Sequence, residues 1–579
     1  MRTANKFGGS LVRIAMFLVA VFAFFDTHLF VYPSLSYSLL PSLLIALSVL
    51  VVVISTYRHK LEYNQRMFTL CFAWIGYILI HHHVFEDSDD YRTWYLISTL
   101  LYAMTVALCL SSKILTWRKV ENTLLLLHLA NTCCVYLQYI GWIKSSNPFF
   151  TTTGLYENPS STAIFLTSTC IILTERILSS HHSKYYMVAL LASIGAIMLL
   201  HCRTAWLGLA IIFTIYIIRW IKSRHLTRRR YYLCTSCLFL LLGFAVLGAF
   251  YLKYDSSQGR LLIIKNTLEL FEKHPNGYGY GLFEKNYNLQ QSEYFQQGHG
   301  SITESEVAGF VAMPYNDYLE SAVEGGFMGF AFYTGLFALM LKCAYIQKQR
   351  KSFLVCLSMG FMATMNFIYT SVGVWLLLMT FLGYLMAAKE QGQLQPRIIP
   401  YKCSSIILGV LGFSLAIHIA TMTSAQIRLT PLCHFVQKGI SVENEQLEVL
   451  RKDIGTSEAF YTTMGQNCML SKDYQQATLS LERASKYSSS PNIYYLLWQA
   501  YMGNRELQKA IQSMTTWEYM QPNLLRPKYY LLRTYSMMND QVHAMQYANK
   551  IIKAKIKIPS KEADSIKRAA LLYKLNNQN

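Results

Sequence analysis

The chain has 579 residues, of which 53% are apolar and 15% charged, against roughly 25% charged in soluble domains. A single soluble globule is excluded, because the apolar residues come in blocks of about 20, long enough to cross a hydrocarbon layer ~30 Å thick. The net charge of +20 lies mostly in the loops between blocks, so it reads as membrane topology and not as nucleic-acid binding.

In chain order the apolar blocks cover approximately 11–31, 36–56, 67–84, 94–112, 122–143, 160–176, 185–201, 204–219, 232–252, 318–341, 353–369, 371–388 and 404–424, thirteen candidate spans. No small-residue cleavage pattern follows the first, which reads as an uncleaved span. Alternate loops carry the basic residues: Arg58 to Arg66, Lys113 to Lys119, Arg219 to Arg230, Lys342 to Lys351 and Lys389 to Lys402. The positive-inside rule places these loops and the N-terminus in the cytoplasm. The acidic Glu86 to Asp90, the loop 144–159, the turn His201 to Arg203 and the insertion 253–317 then face outward, as does everything after about 425. Two conspicuous runs have plain readings. His81, His82 and His83 point in different directions on a helix and form an end cap, not a metal cluster. Arg228, Arg229 and Arg230 anchor the topology against anionic lipid. The 13 cysteines show no metal-binding spacing.

Outward-facing charge next to hydrocarbon is the informative signal, because an ionisable group there is costly and suggests function. Arg203 stands at the boundary of a span in His201-Cys-Arg203-Thr-Ala-Trp-Leu-Gly208, and Arg260 opens an amphipathic stretch with Leu261, Ile264, Leu268 and Phe271 at helical spacing. Two such arginines suit a diphosphate, since guanidinium binds phosphate oxygens in bidentate fashion; the alternative is that each snorkels to lipid headgroups. Three more outward elements accompany them. Asn158-Pro159 is a turn before a span, Pro275 to Gly281 is a glycine-rich bend, and Tyr315-Asn316-Asp317 leads through Glu320 and Glu324 to Gly329. Glu320 and Glu324 share a helix face.

After 425 the pattern becomes soluble and amphipathic, giving domains of 1–424 and 425–579. The phrases Cys468 to Ala477, Tyr501 to Ala510 and Tyr535 to Ala544 align, with final alanines 33 and 34 residues apart. That is the period of a tetratricopeptide-like helical hairpin, where a small residue lets two helices approach. Tyr-Tyr-Leu-Leu recurs at 494–497 and 529–532, and Pro491 and Pro527 stand where helices would start. Such an array binds or positions a partner.

Asn158-Pro159, the R-x-A-x-L-G stretch Arg203 to Gly208, Arg260, the proline-glycine bend Pro275 to Gly281 and the phrase Asn316 to Gly329 follow one another in an order that resembles the O-antigen ligase and O-antigen polymerase superfamily of bacterial envelope glycosyltransferases. The tail resembles repeats carried by members from the Bacteroidetes lineage. The resemblance implies an all-α polytopic protein of about 12–13 spans, similar to membrane glycosyltransferases of the GT-C type, in the bacterial inner membrane with a periplasmic tail. It implies transfer of a glycan from an undecaprenyl diphosphate carrier to an acceptor hydroxyl, on lipid A core or on protein, with no metal or other cofactor. Arg203 and Arg260 would neutralise the departing diphosphate. A polymerase joining carrier-linked units is the alternative, and a non-catalytic glycolipid transporter a second one.

In one respect the chain departs from the pattern. Ligases of this kind commonly have histidine before the Asn of the closing phrase, where this chain has Tyr315, and a phenol is a poor general base at neutral pH. Either the diphosphate leaves with little help from a base, or Asp317, Glu320, His299 or His201 substitutes, or the chain is not a ligase of that type. Tyr315 and Asn316 remain site candidates alongside Asn158, and Glu324 is either a reagent or a packing residue.

Overall fold

The computed structural model describes residues 10–19, 39–56, 64–85, 90–179, 183–224, 227–251, 254–387, 401–556 and 559–577. Among these, all regular structure is helical. The membrane part comprises α1 (Ser10–Val19), α2 (Leu39–Thr56), α3 (Gln65–Val84), α4 (Asp90–Ser111), α5 (Trp117–Tyr139), α6 (Pro159–Ser179), α7 (Ser183–Leu199), α8 (Arg203–Ser223) and α9 (Arg228–Tyr251). The insertion folds as α10 (Tyr254–Lys273), α11 (Phe283–Gln296) and α12 (Ile302–Val307); then come α13 (Asp317–Ile346), α14 (Arg350–Ala363), α15 (Val372–Ala387) and α16 (Tyr401–Gln437). Eight of the described helices are long and apolar enough to cross a membrane: α2 to α6, α8, α13 and α16. The protein is thus an all-α polytopic membrane protein. The second half of the block 11–31, and the loops 57–63, 86–89 and 388–400, lie outside the described residues.

The block 353–369, expected as one span, is broken. Helix α14 ends at Ala363, and residues 364–371 turn back towards the start of α13 before α15 begins. The cause is Asp317, fully buried, whose Oδ2 accepts from the peptide N–H of Ile368 (2.8 Å) and of Tyr369 (3.0 Å) and from the Tyr333 hydroxyl (3.0 Å). A carboxylate thus takes the donors that a continuing helix would have used.

The starts of α6, α8 and α13 share one face of the bundle with α10 to α12 and the tail. The opposite face carries basic residues partly neutralised by acids of neighbouring helices: Arg176 pairs with the buried Glu121 (2.9 Å), Lys351 with the same carboxylate, and Arg350 with Glu175 (3.3 Å).

Helix α13 is interrupted at Gly326 (φ 63°, ψ −163°), a conformation open essentially to glycine alone. The bend 274–281 fits into that break. Tyr278 and Gly279 donate to the carbonyls of Val323 (2.9 Å) and Glu324 (3.0 Å), and Phe327 donates to Pro275 (2.8 Å). Facing it, Gly277 (φ 88°) would carry any Cβ to 2.5 Å from the Glu324 carbonyl oxygen. Two glycine-rich motifs far apart in the chain are therefore the two halves of one joint.

Beyond Pro431, α16 leads without interruption into the tail: α17 (Asn444–Glu448), α18 (Arg451–Ile454), α19 (Glu458–Leu470), α20 (Tyr474–Ala484), α21 (Pro491–Gly503), α22 (Leu507–Met520), α23 (Arg526–Met537), α24 (Gln541–Lys553) and α25 (Lys561–Asn576). The pairs α19/α20, α21/α22 and α23/α24 repeat one turn. Lys472, Arg505 and Asn539 take φ of 60°, 62° and 58°, and the next residue in each case donates 2.9 Å to a carbonyl five positions back, at Cys468, Tyr501 and Tyr535. These are Schellman closures. Ala477, Ala510 and Ala544 are all fully buried between paired helices.

The tail is docked on the insertion. Ser489 donates to Glu284 from both its hydroxyl (2.6 Å) and its N–H (3.0 Å), while Gln291 and Ser292 of α11 donate to the carbonyls of Met520 (2.6 Å) and Thr516 (3.1 Å).

Candidate functional site

A cavity of about 390 Å³ opens where α6, α8, α10, the start of α13 and the 364–371 turn meet. Two helices present their N-termini to it. Pro159 occupies the first position of α6, and Asn158 Oδ1 caps that helix by accepting from Ser160 N–H (2.9 Å). Arg203 is the first residue of α8, after a tight turn in which His201 has φ of 49°. Helix N-termini carry partial positive charge and attract anions.

The cavity gathers Asn158, His201, Arg203, Arg260 and Tyr315 from four separate segments. Arg203 donates to the hydroxyls of Ser257 (3.2 Å) and Ser256 (3.3 Å). Arg260 donates to the Met365 carbonyl (3.0 Å) on the turn after α14, and its guanidinium lies 4.9 Å over the Tyr315 ring. Burial, with the neighbouring Arg203 charge adding to it, holds Arg260 below the ordinary arginine range. None of the described residues lining the cavity is acidic. Two neighbouring guanidiniums beside two helix N-termini favour an anion in the cavity.

An apolar cleft of about 200 Å³ adjoins it, sharing Arg203, Arg260 and Tyr315 and continuing along Leu207, Leu261, Ile264 and Met365. Leu261 and Leu268 are exposed, while Leu262 and Leu270 of the same helix are buried. Helix α10 therefore has two apolar sides, one packed within the insertion and one open.

The other sequence candidates lie elsewhere. Asn316 is the N-cap of α13, accepting from Tyr318 and Leu319 N–H at 3.1 and 3.2 Å. Asp317 holds the 364–371 turn. Glu320 and Glu324 converge on Arg92, at 2.8 and 3.5 Å, with side chains 4% and 2% exposed. Glu324 also accepts from Gly281 N–H (3.0 Å). His299 is at the end of α11 beside Tyr294. None of these five lines the cavity. Among the described residues no three His, Cys, Asp or Glu side chains converge to hold a metal ion. His81 and His82 face different partners, the Asn276 carbonyl (3.1 Å) and the Thr93 hydroxyl (3.3 Å).

Sequence reasoning missed Arg92 and the cavity residues Asn366 and Phe367. Arg92 carried a signal, a lone arginine at an acidic, outward span boundary, as Arg203 does. Its guanidinium lies 4.1 Å over the Tyr369 ring and beside the Tyr369 carbonyl (3.5 Å). It thereby ties α4 and α13 to the turn that carries Met365.

Residues 188–334 match the family model described as O-antigen ligase. The O-antigen ligase match begins in α7 and ends inside α13, so it takes in Arg203, Arg260, Tyr315 and both halves of the glycine joint. Asn158, Arg92, the 364–371 turn and the tail fall outside it. It supports glycan transfer of the ligase or polymerase kind, from a lipid-linked glycan to an acceptor, by a multi-pass membrane protein. No curated protein matches the chain.

Proposed function

We propose that the chain is an O-antigen ligase-like glycosyltransferase of a bacterial inner membrane, moving a glycan from undecaprenyl diphosphate to an acceptor hydroxyl at the periplasmic face. The observation that carries this reading is the convergence of Arg203 and Arg260 on one cavity at the N-termini of α6 and α8, beside an apolar cleft that shares both arginines. The diphosphate occupies the first and the prenyl chain the second. The acceptor oxygen attacks the anomeric carbon, the bond from that carbon to the diphosphate oxygen breaks, and the diphosphate leaves with the electron pair. Fixed positive groups act most strongly where charge develops in this way. His201, the one imidazole among the described lining residues, takes the acceptor proton. Asp317 and Glu320, buried away from the cavity, serve as clamps for its walls. The tail, read as tetratricopeptide-like repeats, guides the acceptor.

The test uses the full-length protein in lipid nanodiscs with membrane-extracted lipid-linked glycan as donor. Arg203→Ala and Arg260→Ala should each lower transfer by about 10²-fold or more at unchanged unfolding midpoint, and full activity in either would remove that arginine from the site. In a deletion strain, long chains accumulating on the carrier would mark a ligase, and single units left on carrier and acceptor a polymerase.

A further inference from the structure

A third cavity, of about 270 Å³, lies between α10 and the segment 307–313, lined by Gly259, Leu262, Ile263, Gln291 and Tyr315 together with that segment. Tyr315 lines all three cavities, and neither Arg203 nor Arg260 lines this one. The backbone places the shared ring: Tyr315 has φ of 53°, in the left-handed region that non-glycine residues seldom occupy.

The described lining residues are all neutral. The lining joins apolar side chains of α10 to a stretch that is non-helical from Ala308 onward, whose peptide groups are donors and acceptors of the kind that hydroxyls use. Side chains of α11 hold that stretch in place. Asn288 binds both peptide groups of Val311, at 2.9 and 3.0 Å, and Gln291 donates to the Gly309 carbonyl at 2.9 Å. The same Gln291 amide donates 2.6 Å to the Met520 carbonyl of the tail, and its oxygen accepts from Tyr287 (3.0 Å). One buried side chain thus joins the tail to the wall of a cavity that shares Tyr315 with the proposed reaction centre. The volume is just below the ~300 Å³ at which small-ligand pockets begin, enough room for one sugar ring.

We propose that this cavity is a subsite for a single neutral sugar ring at the reacting end of a glycan, with its wall held by the tail through Gln291. The inference rests on the transfer reading above. It assigns neutral carbohydrate to one side of Tyr315 and leaves anion and lipid on the other. Gln291, with its amide engaged by protein, is a positioning residue.

Filling the cavity from opposite walls tests this. A Cβ on Gly259 would meet only the Val307 carbonyl oxygen, at 3.9 Å, and one on Gly309 would meet nothing within 4 Å, so a side chain can start at either position, as in Gly259→Leu and Gly309→Leu, with its Cβ clear of the backbone. The readouts are KM for the glycan donor, KM for the glycan acceptor, and the inhibition constant of bare undecaprenyl diphosphate, which has no sugar. Both variants should raise one of the two KM values by roughly 10-fold or more with the inhibition constant within about 2-fold of wild type. A rise confined to the acceptor assigns the ring to the acceptor, and one confined to the donor assigns it to the donor. Gln291→Ala should raise the same KM and leave the inhibition constant unmoved, a split that general loss of fold would not give. Unchanged KM values in both filled variants would overturn the subsite, as would an inhibition constant that rises in step with KM. Wild-type protein that neither binds bare undecaprenyl diphosphate nor transfers glycan would instead overturn the transfer reading beneath it.

Discussion

Arg92→Ala is the most exacting test of the architecture around the cavity. The guanidinium is 10% exposed and pairs with two carboxylates, Glu320 at 2.8 Å and Glu324 at 3.5 Å, which are 4% and 2% exposed. Removing one partner of a buried pair leaves an uncompensated charge and costs about 3–5 kcal/mol. Loss of the 4.1 Å contact with Tyr369 adds about 1–2 kcal/mol for a desolvated cation over a ring, and because the two losses share one side chain they should not simply sum. A total of about 4–5 kcal/mol is expected. The assay is equilibrium unfolding of the full chain in mixed micelles, followed by tryptophan fluorescence, with transfer measured in parallel. Arg92→Ala combined with Glu320→Gln should recover part of the loss, because one of the two stranded charges is gone. A loss below about 1 kcal/mol, the range of solvated surface pairs, would refute the reasoning, as would a double variant less stable than the single one.

His201→Ala should lower kcat by about 10²-fold with donor KM unchanged, as removal of a general base does, and unchanged kcat would take His201 out of proton transfer. Gly326→Ala should destabilise the protein by at least about 1–3 kcal/mol, since it forces a side chain into a glycine-only conformation with its Cβ 2.6 Å from the Asn276 carbonyl oxygen; a thermal unfolding curve matching wild type would count against the joint. Burial pushes the Glu458 carboxyl up to about 7, with the Glu284 carboxylate adding to it. The native junction between insertion and tail therefore binds a proton that the unfolded chain has released between the ordinary carboxylate range and about pH 7, so its stability should fall as pH rises through that window and level off above it. Hydrogen exchange in α11 and α19 between pH 5 and 8 measures this, and Glu458→Gln should flatten the dependence.

What could be read from the sequence followed from local chemistry. The apolar blocks predict helices because length and hydropathy decide them, and Ala477, Ala510 and Ala544 show the tail's period because one small residue per helix pair is a local requirement. Arg203 and Arg260 stand out because charge next to hydrocarbon needs a reason. The break after Ala363 is different. Residues 364–371, Thr-Met-Asn-Phe-Ile-Tyr-Thr-Ser, are weak helix formers of a kind that apolar spans tolerate, and the group that takes the Ile368 and Tyr369 peptide donors, Asp317, is far away in sequence. The same holds for Glu320 and Glu324: their helical spacing predicts a shared face, but the partner on that face, Arg92, lies on a helix more than two hundred residues earlier. Spacing also made the acidic residues of α13 look like reagents, where the fold turns them inward, away from the cavity.

Helix α16 has 37 residues, about 55 Å of continuous helix, and it belongs to the membrane bundle at one end and the tail at the other. It behaves as a shaft and not as a tether. Each residue inserted into it would rotate everything beyond by about 100° and carry it about 1.5 Å outward, taking Ser489 and Met520 away from α11. The lengths of this shaft and of the 254–316 insertion are therefore coupled dimensions, and a chain that lengthens one keeps its tail seated only by reshaping the other.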